Sequence, residues 1–352
     1  MNNYYMFTIT PRQQLITEQI KLRSAISFSE LFKLIGAGTS ERTLKRDLAE
    51  LVEARVLTTD GGGRSLVYRL PLTGRIFLPV DAARYSAEEP DRRSGALTSY
   101  QFDVWDNWPA TLFSKNELSH LWSNTDLYQT RVTTQSPDIK AKELERFVIE
   151  LSWKSSRIEG NTYTLLDTEL LLREGIASKT NTKEETTMIL NHKIAFDFVL
   201  EHTTTDTPLT RGFVEQVHTL LMTGLLNDIS LRKNAVGITG STYRPLDNQF
   251  QIGEELDHCI ARVNKCPNGF NRALIALVGI SYIQPFVDGN KRTARLVANA
   301  LLLMHKLAPL SYRNVDEVLY RASLLAFYEQ LSVLPMKQIF IDQYVFASEH
   351  YS

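Results

Sequence analysis

Gln284-Pro285-Phe286-Val287-Asp288-Gly289-Asn290-Lys291-Arg292-Thr293-Ala294-Arg295 is the stretch from which this chain is best read. Ahead of it Ala273, Leu274, Leu277 and Ile280 recur at helical spacing, and behind it Leu296, Val297, Ala300, Leu301 and Met304 do the same. The stretch is therefore a loop that feeds the start of a helix. A helix start leaves backbone N–H groups unpaired and carries partial positive charge. Gly289 lets the backbone approach a ligand, and Lys291, Arg292 and Arg295 add positive side chains at the same end. Such an end suits an anion, above all a polyphosphate. Asp288 is the one acid present, and a lone carboxylate beside phosphates commonly holds Mg²⁺. Composition alone leaves open an ordinary helix cap with solvated charges.

The order of these residues resembles the signature of the Fic family, His-x-Phe-x-Asp/Glu-Gly-Asn-Gly-Arg-x-x-Arg. Phe286, Asp288, Gly289, Asn290, Arg292 and Arg295 match it. Gln284 stands at the position of the histidine, and Lys291 at that of a second glycine. Ser155-Ser156-Arg157-Ile158-Glu159-Gly160-Asn161 resembles the family's inhibitory motif, Ser/Thr-x-x-x-Glu-Gly/Asn. Glu159 ends a helical pattern from about Lys140, striped by Leu144, Phe147, Val148 and Leu151, and Gly160 reads as its stop. By itself a helix ending in Glu-Gly is a weak signal. Residues Val236, Gly237, Ile238 and Tyr243 lie in a Gly and β-branched mixture that reads as a hairpin, either a plain surface one or the family's substrate flap.

The resemblance implies an all-helical fold with a small β-hairpin flap. It implies an ATP and Mg²⁺ site formed by Asp288, Gly289, Asn290, Lys291, Arg292, Thr293 and Arg295, with Asp288 on the metal and Tyr328 near the adenine. Tyr328 reads equally well as a core aromatic. It further implies AMP transfer to a Ser, Thr or Tyr hydroxyl of a target protein, with Arg292 and Arg295 in the catalytic set and Ser155, Glu159 and Gly160 in an inhibitory one. In such proteins the glutamate pairs with the last arginine, here Arg295, and keeps it from the γ-phosphate.

Gln284 alters that expectation. Glutamine has no basic nitrogen near neutral pH, so it can orient a hydroxyl through its carbonyl oxygen but cannot take the proton. A general base contributes about 10²–10⁴-fold. The expected behaviour is ATP binding with feeble or absent transfer. Two alternatives remain open: a nucleotide-sensing, DNA-binding transcriptional regulator with a degenerate Fic domain, and protein kinase activity like that of the Doc branch, which also has a lysine where Lys291 stands. An inhibitor has little to restrain in a dead site, so Glu159 argues against complete decay; it also reads as a packing residue.

The front of the chain reads as three helices and a hairpin. Ser27 caps Phe28–Ile35, and Thr39 or Ser40 caps a longer helix to Arg55. Val56–Thr59 and Ser65–Leu70 alternate like strands around Gly61-Gly62-Gly63. This order resembles a winged helix-turn-helix. Arg42, Lys45 and Arg46 on its third helix and Arg64 on its wing are candidate DNA contacts. Residues 1–75 carry 11 Lys plus Arg against 7 Asp plus Glu, a modest excess that also suits a protein-docking module. The expected layout is a winged helix over 1–75, a connecting segment over 76–138, and a Fic domain over 139–352 with its inhibitory helix at about 140–159.

The remaining features bound the answer. A formal net charge of −1 provides no global field for nucleic acid or membrane. Cys259 and Cys266 make no disulfide framework, and with no visible signal peptide the expected compartment is the cytoplasm. The longest apolar runs fall short of the roughly 20 residues that span a bilayer. The histidines, His192 and His218 among them, show no metal-ligand spacing and sit on helical patterns. Arg232 faces either phosphate or solvent. A homodimer is in keeping with the family.

Overall fold

The computed structural model describes residues 9–106, 108–203 and 207–351, without the side chain of Arg64. The expectation for Arg64 as a DNA contact lies outside the described residues. The front runs α1 (Pro11–Lys21), β1 (Ile26–Ser27), α2 (Phe28–Ile35), α3 (Glu41–Glu53), β2 (Thr58–Asp60) and β3 (Val67–Arg69), followed by short helices α4 (Leu72–Arg75) and α5 (Ala82–Ala87). Then come α6 (Lys115–Thr134), α7 (Pro137–Ile158), α8 (Leu165–Glu174), α9 (Lys183–His202) and α10 (Arg211–Met222). The last are α11 (Gln249–Asn264), α12 (Gly269–Ile283), α13 (Asn290–Met304), α14 (Glu317–Gln330) and α15 (Leu334–His350). No helix among the described residues is long and apolar enough to cross a membrane.

The chain forms two compact units: Met1–Pro109 with Ile238–Tyr243 and Ala322–Met336, and Ala110–Gly237 with Arg244–Arg321 and Lys337–Ser352. Segment 76–138 is therefore more than a connector, since it gives α5 to the first unit and α6 to the second.

In the first unit, α1 to α3 close over a core of Ile16, Ile20, Leu31, Leu44, Leu48 and Leu51. The antiparallel sheet has the order β1-β3-β2, with Ile26 opposite Tyr68 and Thr59 opposite Tyr68 on the other side. Both strands of the hairpin are shorter than their sequence patterns, because the chain reverses through Gly61 (φ 80°) and a single turn at Gly63–Ser65. On α3, Arg42, Lys45 and Arg46 are exposed as expected of a polar face. Two of them are partly neutralised: Lys45 pairs with Glu41 at 3.4 Å, and Arg46 with Glu50 at 3.7 Å.

The segment expected as a hairpin at 236–246 forms no strand of the sheet. It is irregular, with a turn in which the Ser241 N–H donates to the Ile238 carbonyl at 3.0 Å. The physical reason is local. Glu329 is fully buried and takes the Ser241 hydroxyl at 2.6 Å and the Thr242 N–H at 3.1 Å, groups that a strand would commit elsewhere. The same carboxylate takes the Tyr85 hydroxyl at 2.8 Å and pairs with buried Arg93 at 3.2 Å, while Arg93 also donates to the Gly240 carbonyl at 2.7 Å.

The second unit is built around two helices that are buried on nearly all sides. α12 buries every residue from Gly269 to Ile283 except Arg272, and α13, which buries Arg292 and Arg295 among its apolar residues, packs on α12, α10, α9 and α7. A helix buried all round belongs in a core.

Replacing Glu329 with Ala should destabilise the first unit by about 3–5 kcal/mol, because Arg93 is left buried without its counter-ion. Urea unfolding followed by tryptophan fluorescence measures this, and an unchanged midpoint would show the network to be dispensable.

Candidate functional site

Helices α6 to α12 each begin with a side-chain cap, from Ser114, Ser136, Thr164, Thr182, Thr210, Asn248 and Asn268 in turn. α13 does not. Its cap is Gly289, in the left-handed region at φ 80°, which offers no side chain to the first N–H groups. A Cβ at this position would lie 2.6 Å from Met222 Sδ, so space and backbone both require glycine.

The loop before α13 is braced from several sides. Gln284 ends α12 at φ 51° and ψ 58°, an unfavourable conformation for a residue with a Cβ. Arg232 over-determines it: its Nε donates to the Gln284 carbonyl at 2.6 Å and its Nη1 to the Asn234 carbonyl at 2.8 Å, while its backbone N–H donates to the Pro285 carbonyl at 3.0 Å. Arg232 thus faces neither phosphate nor solvent; it is 2% exposed and clamps the loop. Asn290 staples the other end, with its Oδ1 accepting the Phe286 N–H at 2.9 Å and its Nδ2 donating to the Phe286 carbonyl at 2.8 Å. His218 stacks flat on Phe286, ring centres 3.6 Å apart, and its Nε2 lies 3.0 Å from the Asp288 carbonyl oxygen. Burial pushes this imidazole down to about 4, although its carbonyl partners favour the charged form.

The Gln284 side chain braces the loop at both ends of its amide. Its Nε2 donates to the Ser281 carbonyl at 2.6 Å, and its Oε1 accepts from Asn290 Nδ2 at 3.0 Å. One of the two lone pairs of the carbonyl oxygen that could orient a hydroxyl is therefore used to brace the loop.

Behind the loop lies a buried charge cluster. Arg295 is 0% exposed, with Nε donating to Ser155 Oγ at 2.9 Å and Nη2 to the Ser155 carbonyl at 2.8 Å. Its Nη1 lies 2.9 Å from Glu159 Oε1, and Lys291 Nζ lies 2.7 Å from Glu159 Oε2. Burial would raise the Glu159 carboxyl, but Arg295 and then Lys291 overcome it and hold the group at about 2. Glu159 is the C-cap of α7, which starts at Pro137 rather than near Lys140, and Gly160 turns the chain away at φ 98°. Arg292 is 2% exposed; its Nη2 reaches Asp288 at 3.2 Å, while Nε and Nη1 have no hydrogen-bond partner among the described residues. Burial lowers the Arg292 guanidinium from its ordinary value. The Thr293 hydroxyl and both ring nitrogens of His192 are likewise buried without hydrogen-bond partners among the described residues. Burial, then the charges of Arg295 and Arg292, push His192 down to about 3.

So the loop residues Gln284 to Arg295 and the α7 residues Ser155 and Glu159 come together. Val236 and Gly237 belong to the same unit, whereas Ile238, Tyr243 and Tyr328 belong to the other, where the two tyrosine rings stack at 5.9 Å. The sequence did not reveal the loop clamps Arg232 and His218, which lie 52 and 70 residues from the groups they hold and follow no spacing rule. Lys291 was legible as a cation of the loop but not as a partner of Glu159.

Residues 208–302 match the profile of the Fic/DOC family. The chain carries a Fic/DOC family domain. The chain is similar to the protein adenylyltransferase Fic of Drosophila virilis, 26% identical over 155 residues, which is 43% of this chain and 32% of that protein. The Drosophila willistoni protein of the same name is 27% identical over 155 residues, 43% of this chain and 31% of its own. The chain thus spans less than a third of the length of these relatives. Among solved structures, a Fic-1 fragment from C. elegans superposes with a TM-score of 0.58 at 19% identity, covering 67% of this chain and 72% of that one. A Fic family protein from Desulfovibrio desulfuricans superposes with a TM-score of 0.57 at 19% identity, covering 71% and 76%. These likenesses establish the mainly helical Fic fold.

Two effects follow for the Fic domain. Gly289→Ala should destabilise it by about 1–3 kcal/mol through a left-handed backbone and overpacking on Met222, measured by thermal unfolding. Acid should weaken it in two overlapping windows. His192 is an ordinary imidazole when unfolded but is pushed to about 3 when folded, so its unfolded form takes protons first and stability falls from about pH 6.5 downward. Glu159, depressed to about 2, contributes fully above its ordinary value near 4.5 and is lost as pH falls below that. His218, held at about 4, adds to the upper window, so His192→Phe should reduce that window without abolishing it and leave the lower one, measured by urea midpoints from pH 7 to 3.

Proposed function

We propose that this chain binds ATP with Mg²⁺ in its Fic domain and is a protein adenylyltransferase by design, held off by Glu159 and slowed by Gln284. The observation that carries the reading is the uncapped start of α13, with half-unpaired Arg292 buried behind it. A triphosphate supplies what these groups lack, namely anionic acceptors for open N–H groups and for a desolvated guanidinium. Asn290, Lys291 and Thr293 line the same helix start.

Asp288 fits a role on Mg²⁺. Its side chain is 65% exposed, and its Oδ1 accepts the Gly289 N–H at 2.6 Å, which orients the carboxylate at the loop surface. One carboxylate suits an ion that keeps most of its waters and shares phosphate oxygens. When bound, Mg²⁺ would offset charge on the phosphates. Arg292 and Arg295 stabilise charge that builds on the α-phosphate and the departing pyrophosphate. The target hydroxyl must lose a proton as its oxygen attacks. At position 284 there is no group to receive it, so transfer is slow. Glu159 withholds Arg295 from the phosphates.

A second reading has its own support. With the Gln284 oxygen tied to Asn290, the site is equipped to bind nucleotide without using it. Residues 1–75 would then act as a winged helix that reports nucleotide state to DNA. Arg42 is its best contact, being exposed and in no ion pair among the described residues.

Labelling with ATP tagged at the α- or γ-phosphate tests the proposal. The Gln284→His, Glu159→Gly double variant should transfer AMP to itself or a co-purified target about 10²–10⁴ times faster than the native chain. A γ-tag appearing instead would indicate Doc-like phosphate transfer. No gain of either label, with ATP still bound, would favour the regulator. For that reading, Arg42→Ala should weaken binding of the full chain to duplex DNA in a salt-dependent way.

A further inference from the structure

The first unit holds a cavity of about 340 Å³, a size common among small-molecule sites. It opens between the last turns of α1, the segment from Leu78 to Asp81, α5 and the end of α14. Lys21 of α1 and Gln330 of α14 both line it. The Lys21 stem lies along Gly95, at φ 67°, where a Cβ would sit 3.0 Å from Cε and 3.1 Å from Cγ. So placed, the residue is half-buried, and burial followed by the nearby charge of Arg75 lowers its pKa from the ordinary value. Glu18 and Glu88 pull the other way, yet Lys21 forms no ion pair among the described residues. Arg75 is half-buried too, and its Nη1 is buried without a hydrogen-bond partner among the described residues. Desolvated cations side by side favour an anion between or beside them.

Gln330 is 1% exposed, and its partners allow its amide one orientation. The Tyr85 hydroxyl donates to Glu329 Oε2 at 2.8 Å, so it is left to accept, and Gln330 Nε2 donates to it at 2.7 Å. Gln330 Oε1 is then a buried acceptor with no hydrogen-bond partner among the described residues. Such an acceptor is costly unless a donor reaches it. One part of the cavity thus suits an anion and another a hydrogen-bond donor. We propose that it binds a small monocarboxylate with its own N–H or O–H donor, an amino or hydroxy acid, with the carboxylate on Lys21 and the donor on Gln330 Oε1.

Charge and shape narrow the class. The exposed lining residues include the acids Glu18, Asp81 and Glu88 against the cation Arg84. That rim opposes a phosphate dianion, admits a single carboxylate, and suits the ammonium of an amino acid. Leu78, Pro79 and Val80 supply an apolar wall for an aliphatic side chain. Bound there, the acid would join the end of α1, whose Ile16 and Ile20 sit in the core of the front helices, to the end of α14. The cavity stands whether or not the Fic domain takes nucleotide.

Isothermal titration of the full chain with L-leucine, L-leucic acid and isocaproate provides the test. The three share a carboxylate and an aliphatic body and differ in bearing an ammonium, a hydroxyl or neither. The native chain should bind leucine or leucic acid about tenfold more tightly than isocaproate, and whichever is preferred tells amino acid from hydroxy acid. Lys21→Met, which keeps a stem against Gly95, should weaken the preferred probe by about tenfold or more. Gln330→Met should bring it down to the level of isocaproate. Thermal unfolding without probe checks that each variant folds. A readout that needs no variant is acetylation of Lys21 by an N-hydroxysuccinimide ester, followed by peptide mass spectrometry. The preferred probe should slow labelling at Lys21 and leave the other lysines unchanged. The proposal would be overturned by no binding of any of the three, by isocaproate binding as tightly as the others, or by inorganic phosphate binding more tightly than all of them. Lys21→Met with unchanged affinity, or Lys21 labelling that the bound probe does not slow, would overturn it as well.

Discussion

Two guanidinium groups buried on one helix, Arg292 and Arg295, set the terms for everything around them. Each is at most 2% exposed, and they lie within one turn of α13. Like charges in such a place are costly unless counter-charges are close. The chain answers with two acids of different standing. Asp288 meets Arg292 through a single nitrogen at 3.2 Å and stays largely in water. Glu159 meets Arg295 at 2.9 Å, is itself mostly buried, and draws in Lys291 as well. Under the proposed nucleotide reading, an incoming polyphosphate and Glu159 would be two solutions to one electrostatic problem.

The loop that brings these charges together is held without a ligand. Its difficult point is Gln284, in the left-handed region at the end of α12. Arg232 grips the backbone there, Asn290 ties the side chain to the start of α13, and His218 lies flat against Phe286. Preorganisation of this kind lowers the ordering cost of binding. It also changes the meaning of glutamine at this position. Besides removing a base, the residue supplies an oxygen to Asn290 and an amide to Ser281, contacts that an imidazole cannot reproduce in the same arrangement.

The anion loop and its flanking helices were legible because their signal is local. Apolar residues at helical spacing mark α12 and α13, and a glycine among basic residues marks a helix start open to anions. The helix ending at Glu159 was legible for the same reason, with Gly160 as its stop. What escaped the sequence is non-local or competitive. Gly237 and Gly240 among β-branched residues read as a hairpin, but Glu329 claims the Ser241 hydroxyl and the Thr242 N–H, so no strand ladder forms. Lys45 and Arg46 read as free cations of a recognition helix, yet each has an acid four residues away on its own face. Arg232 reads as facing phosphate or solvent and His218 as idle, since nothing in their neighbourhoods records the distant carbonyl groups they hold.

Glu159 beside Gln284 first looks contradictory, an inhibitor guarding a site without its base. The charge cluster removes the contradiction. Arg295 is fully buried, fixed by Ser155 through two hydrogen bonds, and stacked 5.5 Å from the Tyr320 ring. A cation so placed needs a carboxylate whenever phosphate is absent, whether or not chemistry ever follows. Glu159 is therefore required by the core as much as by any control of catalysis. Its presence alone says little about turnover. The sharper indicator is Gln284 itself, which has no basic nitrogen to offer and whose oxygen braces the loop through Asn290.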